Sequence, residues 1–505
     1  MNLASLKTSL PRDALASFVV FLVALPLCMG IAIASGMPPA KGLVTGIVGG
    51  LLVGWLAGSP LQVSGPAAGL AVLVFELVRS HGIAMLGPIL LLAGLFQLVA
   101  GRLRLGCWFR VTAPAVVYGM LAGIGVLIVL SQLHVMFDAK PMASGLENLL
   151  AFPATLGEAL PGLGSGDGLA AALLGLGTIV SILLWEKLRP QGLRFLPGAL
   201  VGVAFATLTS LWLGLEVRRV EVPATLSDAI DWVQPVDLMR LAEPSLLLAA
   251  LVLAFIASAE TLLSAAAVDR MHNGPRSNLD RELSAQGIGN MICGALGALP
   301  MTGVIVRSSA NVQAGARTRL STVLHGVWLL AFVALLPMVL QSIPVAALAA
   351  VLVHTGFKLV DLKAVRNLGH YGRMPMFIHG ATAFGIVAVD LLSGVLLGFA
   401  LTLTKLAWKA SRLKISLVQG EPGHAELRLV GAATFLKVPR LSHVLESVSP
   451  KTRLHVPMEH LSYIDHACME LLEDWGRAAR QQGGALLIEQ HALNRRLEGR
   501  LARVG

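Results

Sequence analysis

An α-helical polytopic membrane protein with a small cytoplasmic α/β domain at its C-terminus is the fold class this sequence predicts. Three observations lead there: bulk hydrophobicity, two interrupted apolar segments in matching places, and an abrupt change of character near Ala410. Of 505 residues, 55% are hydrophobic and only 13% are charged, with a mean hydropathy of +0.75. An ordinary soluble domain carries about 25% charged residues. A hydrocarbon core of ~30 Å needs about 20 apolar residues per helix. Such runs recur from Leu15 to about Ala410, giving roughly fourteen spanning or part-spanning segments, the short ones being half-helices.

The first apolar stretch follows Lys7 and Arg12 and continues through Pro26 to Ile33. It is expected to be a membrane element rather than a cleavable signal peptide. Pro26, within Ala24-Leu-Pro-Leu-Cys28, is expected to break this span at mid-depth and to place Leu27 and Cys28 beside a central cavity. A plain proline kink is the alternative.

The interrupted segments are Gln62-Val-Ser-Gly-Pro-Ala-Ala-Gly69 and Leu299-Pro-Met-Thr-Gly-Val-Ile-Val-Arg-Ser-Ser-Ala-Asn311. Each follows an apolar run with one glycine–proline spacing: Gly49, Gly54 and Pro60, then Gly289, Gly294 and Pro300. Broken segments at equivalent positions of two repeats point to a secondary transporter's binding site. A half-helix that starts in mid-membrane leaves unpaired N–H groups, tolerable only where the backbone lines an enclosed cavity. With about half a positive charge from the helix dipole, those groups make an anion site. Ser64, Gly65, Ala67 and Ala68 would start one such helix; Val306, Arg307, Ser308 and Ser309 would start the other. Gln62 and Asn311 stand at the flanks as supporting polar groups. A Gly-Pro break also serves as a structural kink, but two breaks with one shared spacing favour the site.

Arg307 costs ~2.5–3.5 kcal/mol at mid-bilayer on insertion scales, so it requires a partner or a watery cavity. The acid that offers itself is Glu260, in Ala254-Phe-Ile-Ala-Ser-Ala-Glu-Thr-Leu-Leu-Ser264. Glu260 and Ser264 are four apart and share a helix face. Two readings stand side by side: Glu260 exchanges a proton during transport, or it forms a static ion pair with Arg307.

Lysine plus arginine exceed aspartate plus glutamate by 39 to 29, for a formal net charge of +10. Their placement argues against nucleic acid. Alternate loops hold Arg102, Arg104 and Arg110; Lys187, Arg189 and Arg194; Arg270, Arg276 and Arg281; Arg317 and Arg319; and the clusters around Lys363 and Lys409. This is the positive-inside pattern, and it puts both termini in the cytoplasm. Cys28, Cys107, Cys293 and Cys468 have neither metal-ligand spacing nor the look of a disulfide framework. Neither a His-Glu-x-x-His nor a Gly-x-Ser-x-Gly sequence occurs, so no enzyme, metal or cofactor is expected.

Beyond Ala410 the chain turns polar. Ala425–Val430 alternates like a strand, Phe435–Val448 reads as a helix, Arg453–Pro457 as a strand, His466–Gln481 as a helix and Ala485–Ile488 as a strand. That alternation implies a mostly parallel sheet. The domains are expected at 1–412 and 413–505.

The Gln62-Val-Ser-Gly-Pro66 segment, the Ala24-Leu-Pro-Leu27 stretch, the acid-containing eighth span and Arg307-Ser-Ser-Ala-Asn311 together resemble the sulfate permease (SulP) family. These are bacterial relatives of solute carrier family 26, and the resemblance covers nearly the whole chain, with a tail that looks like a STAS domain. It implies a 7+7 inverted repeat with core and gate domains, in a homodimer in the bacterial cytoplasmic membrane. The third and tenth segments would be half-helices holding a small oxyanion, carried by an elevator-like movement of the core. Family substrates are sulfate, bicarbonate, chloride and small dicarboxylates.

Two departures matter. Where sodium-coupled members have an Asp and a Thr on the eighth span and a Thr after the Gly-Pro, this chain has Glu260, Ser264 and Ala67. That pattern favours proton coupling or uncoupled exchange. Where some STAS domains carry a phosphorylatable Ser, this chain has Tyr463-Ile-Asp-His-Ala-Cys468. A serine switch is therefore not expected there, Asp465 reads as an N-cap, and the domain would serve assembly or docking of a cytoplasmic partner. The tail and the sequence around Pro26 look similar to a branch associated with carbonic anhydrase, which tilts the substrate towards bicarbonate, with sulfate close behind. The rivals are an exchanger or uniporter without proton coupling, a nucleobase-type permease of the same architecture, and a non-transporting protein that uses the same anion site.

Overall fold

The computed structural model describes residues 3–106, 114–142, 144–159, 168–190, 193, 196–223, 225–369, 372–410, 413–420 and 423–489. Cys107, Arg110 and Arg194 lie outside the described residues. The chain divides into two compact units, 1–398 and 399–505.

The first half begins with α1 (Leu3–Ala34), α2 (Pro39–Val48), a π-helical turn (Gly49–Val53) and α3 (Gly54–Leu56). It continues through β1 (Ser64–Pro66), α4 (Ala68–His81), α5 (Ile83–Arg102), α6 (Pro114–Met136), α7 (Gly145–Ala159), α8 (Leu169–Leu188) and α9 (Gly198–Trp212). A connection holding the short α10 (Pro235–Met239) leads to α11 (Pro244–Val268), α12 (Leu279–Ala295), β2 (Met301–Gly303) and α13 (Ile305–Gln313). Then come α14 (Leu320–Leu335), α15 (Pro337–Gln341), α16 (Val345–Leu359), α17 (Leu362–Gly369), α18 (Arg373–Ala388) and α19 (Leu391–Ala410), which crosses the division between units.

With α2 to α3 taken as one segment and α7, α10, α15 and α17 as connections, each half supplies seven segments. Six described helices are long and apolar enough to cross a membrane by themselves. The repeat is legible in the packing. Helix α5 lies against α11, and its counterpart α14 lies against α1. A core of α1–α5 and α11–α14 thus separates from a gate in which α6 packs on α16 and α18, and α8 on α9 and α16.

Small residues set the closest approaches, as they do between helices in lipid. A methyl group on Gly94 of α5 would stand 2.6 Å from the Gly287 carbonyl of α12, and one on Gly87 would stand 2.8 Å from that of Gly294. In the gate, one on Gly125 of α6 would meet the Gly356 carbonyl of α16 at 2.6 Å. The backbones themselves touch at these points.

The expected break at Pro26 does not occur: α1 is continuous from Leu3 to Ala34 with Pro11 and Pro26 inside it. A proline removes one ladder hydrogen bond, which a helix packed among neighbours absorbs. Helix α1 is so packed, against α2, α13, α14 and α16.

The second unit holds β3 (Leu413–Gln419), β4 (His424–Ala433), α20 (Val438–Glu446), β5 (Arg453–Pro457), β6 (Leu461–Ile464), α21 (His466–Gln481) and β7 (Ala485–Glu489). Strand β4 pairs in parallel with β5 and β6, and β5 with β7, while β3 adds antiparallel to β4. The alternation of β4 puts Leu427 and Leu429 into a core with Leu441, Val456, Cys468 and Leu472. The stretch expected as one helix from Phe435 opens as a 3-10 turn, Phe435–Lys437, before α20.

Asp465 caps α21, its Oδ1 accepting the Cys468 N–H at 2.9 Å. Burial pushes this carboxyl's pKa up. Hydrogen bonds from the Cys468 N–H and thiol and the Phe435 N–H outweigh that and hold it below the usual carboxylate range. A depressed folded-state value stabilises above the unfolded pKa and is lost as pH falls through the folded one. Asp465→Ala is expected to cost about 1 kcal/mol, read as faster amide exchange in the first turn of α21 at neutral pH, with the difference closing in acid.

Candidate anion site

The centre of the transport unit is a two-stranded ribbon made from the two halves. Strands β1 and β2 pair antiparallel, with Gly65 opposite Thr302 and Ser64 opposite Gly303. One residue beyond each strand a helix begins: Ala67 precedes α4 and Val304 precedes α13. The halves therefore keep one strand-to-helix spacing, and their counterpart strands pair with each other. Neither Ala67 nor Val304 offers a side-chain cap. Two helix starts within the transport unit that lack capping groups leave donors that need a partner.

Both starts open on one cavity of about 690 Å³, with Ala68 and Gly69 from α4 and Val304, Ile305 and Val306 from the start of α13. Its other walls come from α1 (Leu27, Ile31), α6 (among them Tyr118 and Leu121), α11 (among them Glu260 and Ser264) and α16 (Thr355). The cavity thus lies between core and gate. Asp269, Arg270 and Arg276 line it at one end. They belong to a loop stitched by Ser277, which donates from its N–H and Oγ to the Asp269 carboxylate, and by Arg276, which donates to the Asp269 carbonyl.

Of the residues singled out from sequence, the cavity brings together Leu27, Ala68, Glu260, Ser264 and Val306. Ala67 is the buried residue at the α4 start. Ser64 and Gly65 lie within β1, where the Ser64 hydroxyl accepts from Gln286 Nε2 at 2.6 Å. Ser308 is fully buried; its hydroxyl donates to the Val304 carbonyl and accepts the Val63 N–H at 2.9 Å, tying α13 to the chain before β1. Ser309 turns back on the Val306 carbonyl. Gln62 Nε2 donates to the Thr261 carbonyl and Asn311 Nδ2 to that of Leu61. Cys28 points away from the cavity towards α2, where a methyl group on Gly46 would meet its sulfur at 2.7 Å.

Arg307 is fully buried and reaches behind β1. A side chain on Gly65 would strike its guanidinium, and its Nη2 donates a long 3.5 Å bond to the Pro66 carbonyl. Its Nε and Nη1 have no hydrogen-bond partner. No ion pair joins it to Glu260 among the described residues, so the static Glu–Arg pair is not formed. Glu260 instead lies against the first turn of α4: its Oε1 would be 2.6 Å from a methyl group on Gly69. Its Oε2 is shut off from solvent and has no hydrogen-bond partner.

Sequence reasoning missed the polar residues that hold the ribbon. Asn290 exchanges hydrogen bonds with both the N–H and the carbonyl of Met301, Thr45 does the same for Leu299, and Thr261 Oγ1 accepts the Gly303 N–H. Gln286 also donates to Glu282, which accepts the Ser59 N–H. A signal was present: Glu282, Gln286 and Asn290 stand at four-residue spacing, a polar stripe along one face of α12.

An inverted repeat whose two half-helices open uncapped on one mid-protein cavity is the arrangement of a transporter's binding site. The signature of the Sulfate permease family matches residues 10–382, and the chain belongs to that family. It is an anion transporter of the SulP and solute carrier 26 group. It is similar to the putative sulfate transporter YvdB of Bacillus subtilis (strain 168), at 27% identity over 492 residues, covering 94% of this chain and 91% of the relative. The transmembrane domain of a cyanobacterium bicarbonate transporter BicA matches with a TM-score of 0.66 at 26% identity, over 77% of this chain and 97% of that one. The structure of SLC26A9 matches with a TM-score of 0.78 over 97% of this chain and 86% of that one; at 16% identity this is a likeness of fold alone.

Proposed function

We propose that this protein carries a small inorganic anion of the bicarbonate or sulfate class across the bacterial cytoplasmic membrane, coupled to a proton through Glu260. The observation that carries this reading is the meeting of two uncapped helix starts and the Glu260 carboxyl group in a single cavity. The free N–H groups and aligned dipoles of α4 and α13 attract an oxyanion without a metal ion. Arg307, behind β1, adds a positive field, and Ser64, Gly65, Ala67, Ser308 and Ser309 shape the backbone that meets the ligand. Glu260, free of Arg307, is available to take up and release a proton, and Ser264 lies beside it.

The orientation follows from the positive-inside pattern. With both termini cytoplasmic, the Arg270–Arg276 end of the cavity faces the cytoplasm. An elevator-like slide of the core against the gate would then carry the ribbon and its anion outward, as the division between core and gate supports. The α/β unit beginning near 413 fits a STAS domain, for which we propose a role in holding a homodimer together or docking a cytoplasmic partner.

Proteoliposome uptake of labelled bicarbonate and sulfate tests the reading. Saturable uptake of at least one, accelerated by an inward proton gradient, is expected. Lack of saturable flux for either anion would contradict it.

A further inference from the structure

The position of Glu260 says more than that a carboxyl group is present. Its carboxylate fills the space that a side chain on Gly69 would occupy, at the second residue of α4. That is where the unpaired N–H groups and the positive end of the helix dipole lie. An ionised carboxylate there takes up the space and the field that a substrate oxyanion needs, although no hydrogen bond from α4 reaches its buried Oε2.

We propose that the Glu260 side chain is an internal occupant of the anion site: ionised, it rests on the first turn of α4 and excludes the substrate, and protonated, it yields. The inference rests on the anion-transport reading above and specifies how the proton is coupled. The substrate and the proton then bind together, because each removes the obstacle to the other. Glycine at position 69 is what lets the carboxylate reach the turn.

Other charged and titratable groups bear on this position from the surrounding elements. Tyr118 on α6 and Asp269, Arg270 and Arg276 line the same cavity. On α13, Arg307 is turned behind β1, and on α12, Glu282 is held by Gln286 and the Ser59 N–H. Helix α5 carries no titratable side chain before Arg102. Among the described residues, none of these is paired with Glu260, so the first turn of α4 is the positive feature against which it rests.

The test is direct binding of labelled sulfate to the purified full-length protein in nanodiscs across a pH series, with bicarbonate at one fixed pH as a second probe. In the wild type, sulfate affinity should fall as pH rises. Glu260→Gln should bind about tenfold more tightly at the alkaline end, because the competent fraction is no longer reduced by self-occupation. Its affinity should also be flat with pH. Glu260→Asp, which keeps the charge but withdraws it by one methylene, should fall between the two and shows whether occupancy rather than charge alone is at work. Equal affinities for wild type and Glu260→Gln at every pH, with saturable flux intact, would overturn self-occupation and leave the transport reading standing. Absence of both binding and flux with either probe would overturn the transport reading and this inference with it.

Discussion

Proteoliposomes containing Glu260→Gln should no longer accelerate anion uptake when an inward proton gradient is imposed, while anion exchange between equal pools continues. Glu260 lines the cavity beside the α4 start and has no ionic partner among the described residues. Glutamine keeps its size but can neither ionise nor carry a proton. The proton's effect on anion affinity, about 5–150-fold for a typical coupling energy, should disappear in the mutant. A mutant that still answers to the gradient would move the coupling to another group. A mutant that fails in both assays would make Glu260 structural.

The second large effect is expected at Arg307. Burying an unpaired charge costs several kcal/mol, and replacing a buried charge by an apolar group of similar volume is often neutral or stabilising. Arg307 is fully buried, with two of its nitrogens lacking hydrogen-bond partners. Arg307→Met should therefore leave the melting temperature unchanged or higher, while anion affinity falls by roughly ten- to a hundredfold as the field behind β1 is lost. Thermal unfolding and flux measured on one preparation separate the two properties. A lower melting temperature with undiminished transport would make Arg307 a packing element.

Much of the fold was legible from the chain because its signals are long. Twenty-residue apolar runs, an alternating strand at β4 and the capped amphipathic helix α21 each repeat their message many times. The two half-helices were legible for a different reason: glycine and proline interrupt the apolar pattern at matching places. What escaped was short or directional. Strands of three residues carry no period, so β1 and β2 were invisible as strands. The shared spacing runs at an offset of 240 residues from Gly49 to Gly289, whereas the strands and helix starts correspond at 237, because Ser64 matches Met301 and Ala68 matches Ile305. The second half is thus three residues shorter just before its strand.

Side-chain direction was the other gap. Nothing in the order of residues says that Arg307 turns behind β1 while its neighbour Val306 lines the cavity, or that Cys28 turns to Gly46 while Leu27 lines it. On a helix, successive positions point about 100° apart, so adjacent residues in a motif commonly have different surroundings. The polar stripe of α12 was readable in principle, and its three members, Glu282, Gln286 and Asn290, are what hold the chain around the ribbon in place.

The central claim is that the substrate anion sits at the uncapped starts of α4 and α13. Its most direct test is substrate protection of single cysteines placed at Ala68 and Val306, in a protein whose Cys107 has been replaced. The native Cys28, Cys293 and Cys468 are buried, whereas Ala68 is partly exposed and Val306 is 37% exposed. Labelling by a thiol reagent should slow at both positions in the presence of bicarbonate or sulfate at a concentration that saturates uptake. Labelling rates indifferent to a saturating, transported anion would put the binding site elsewhere and contradict the account.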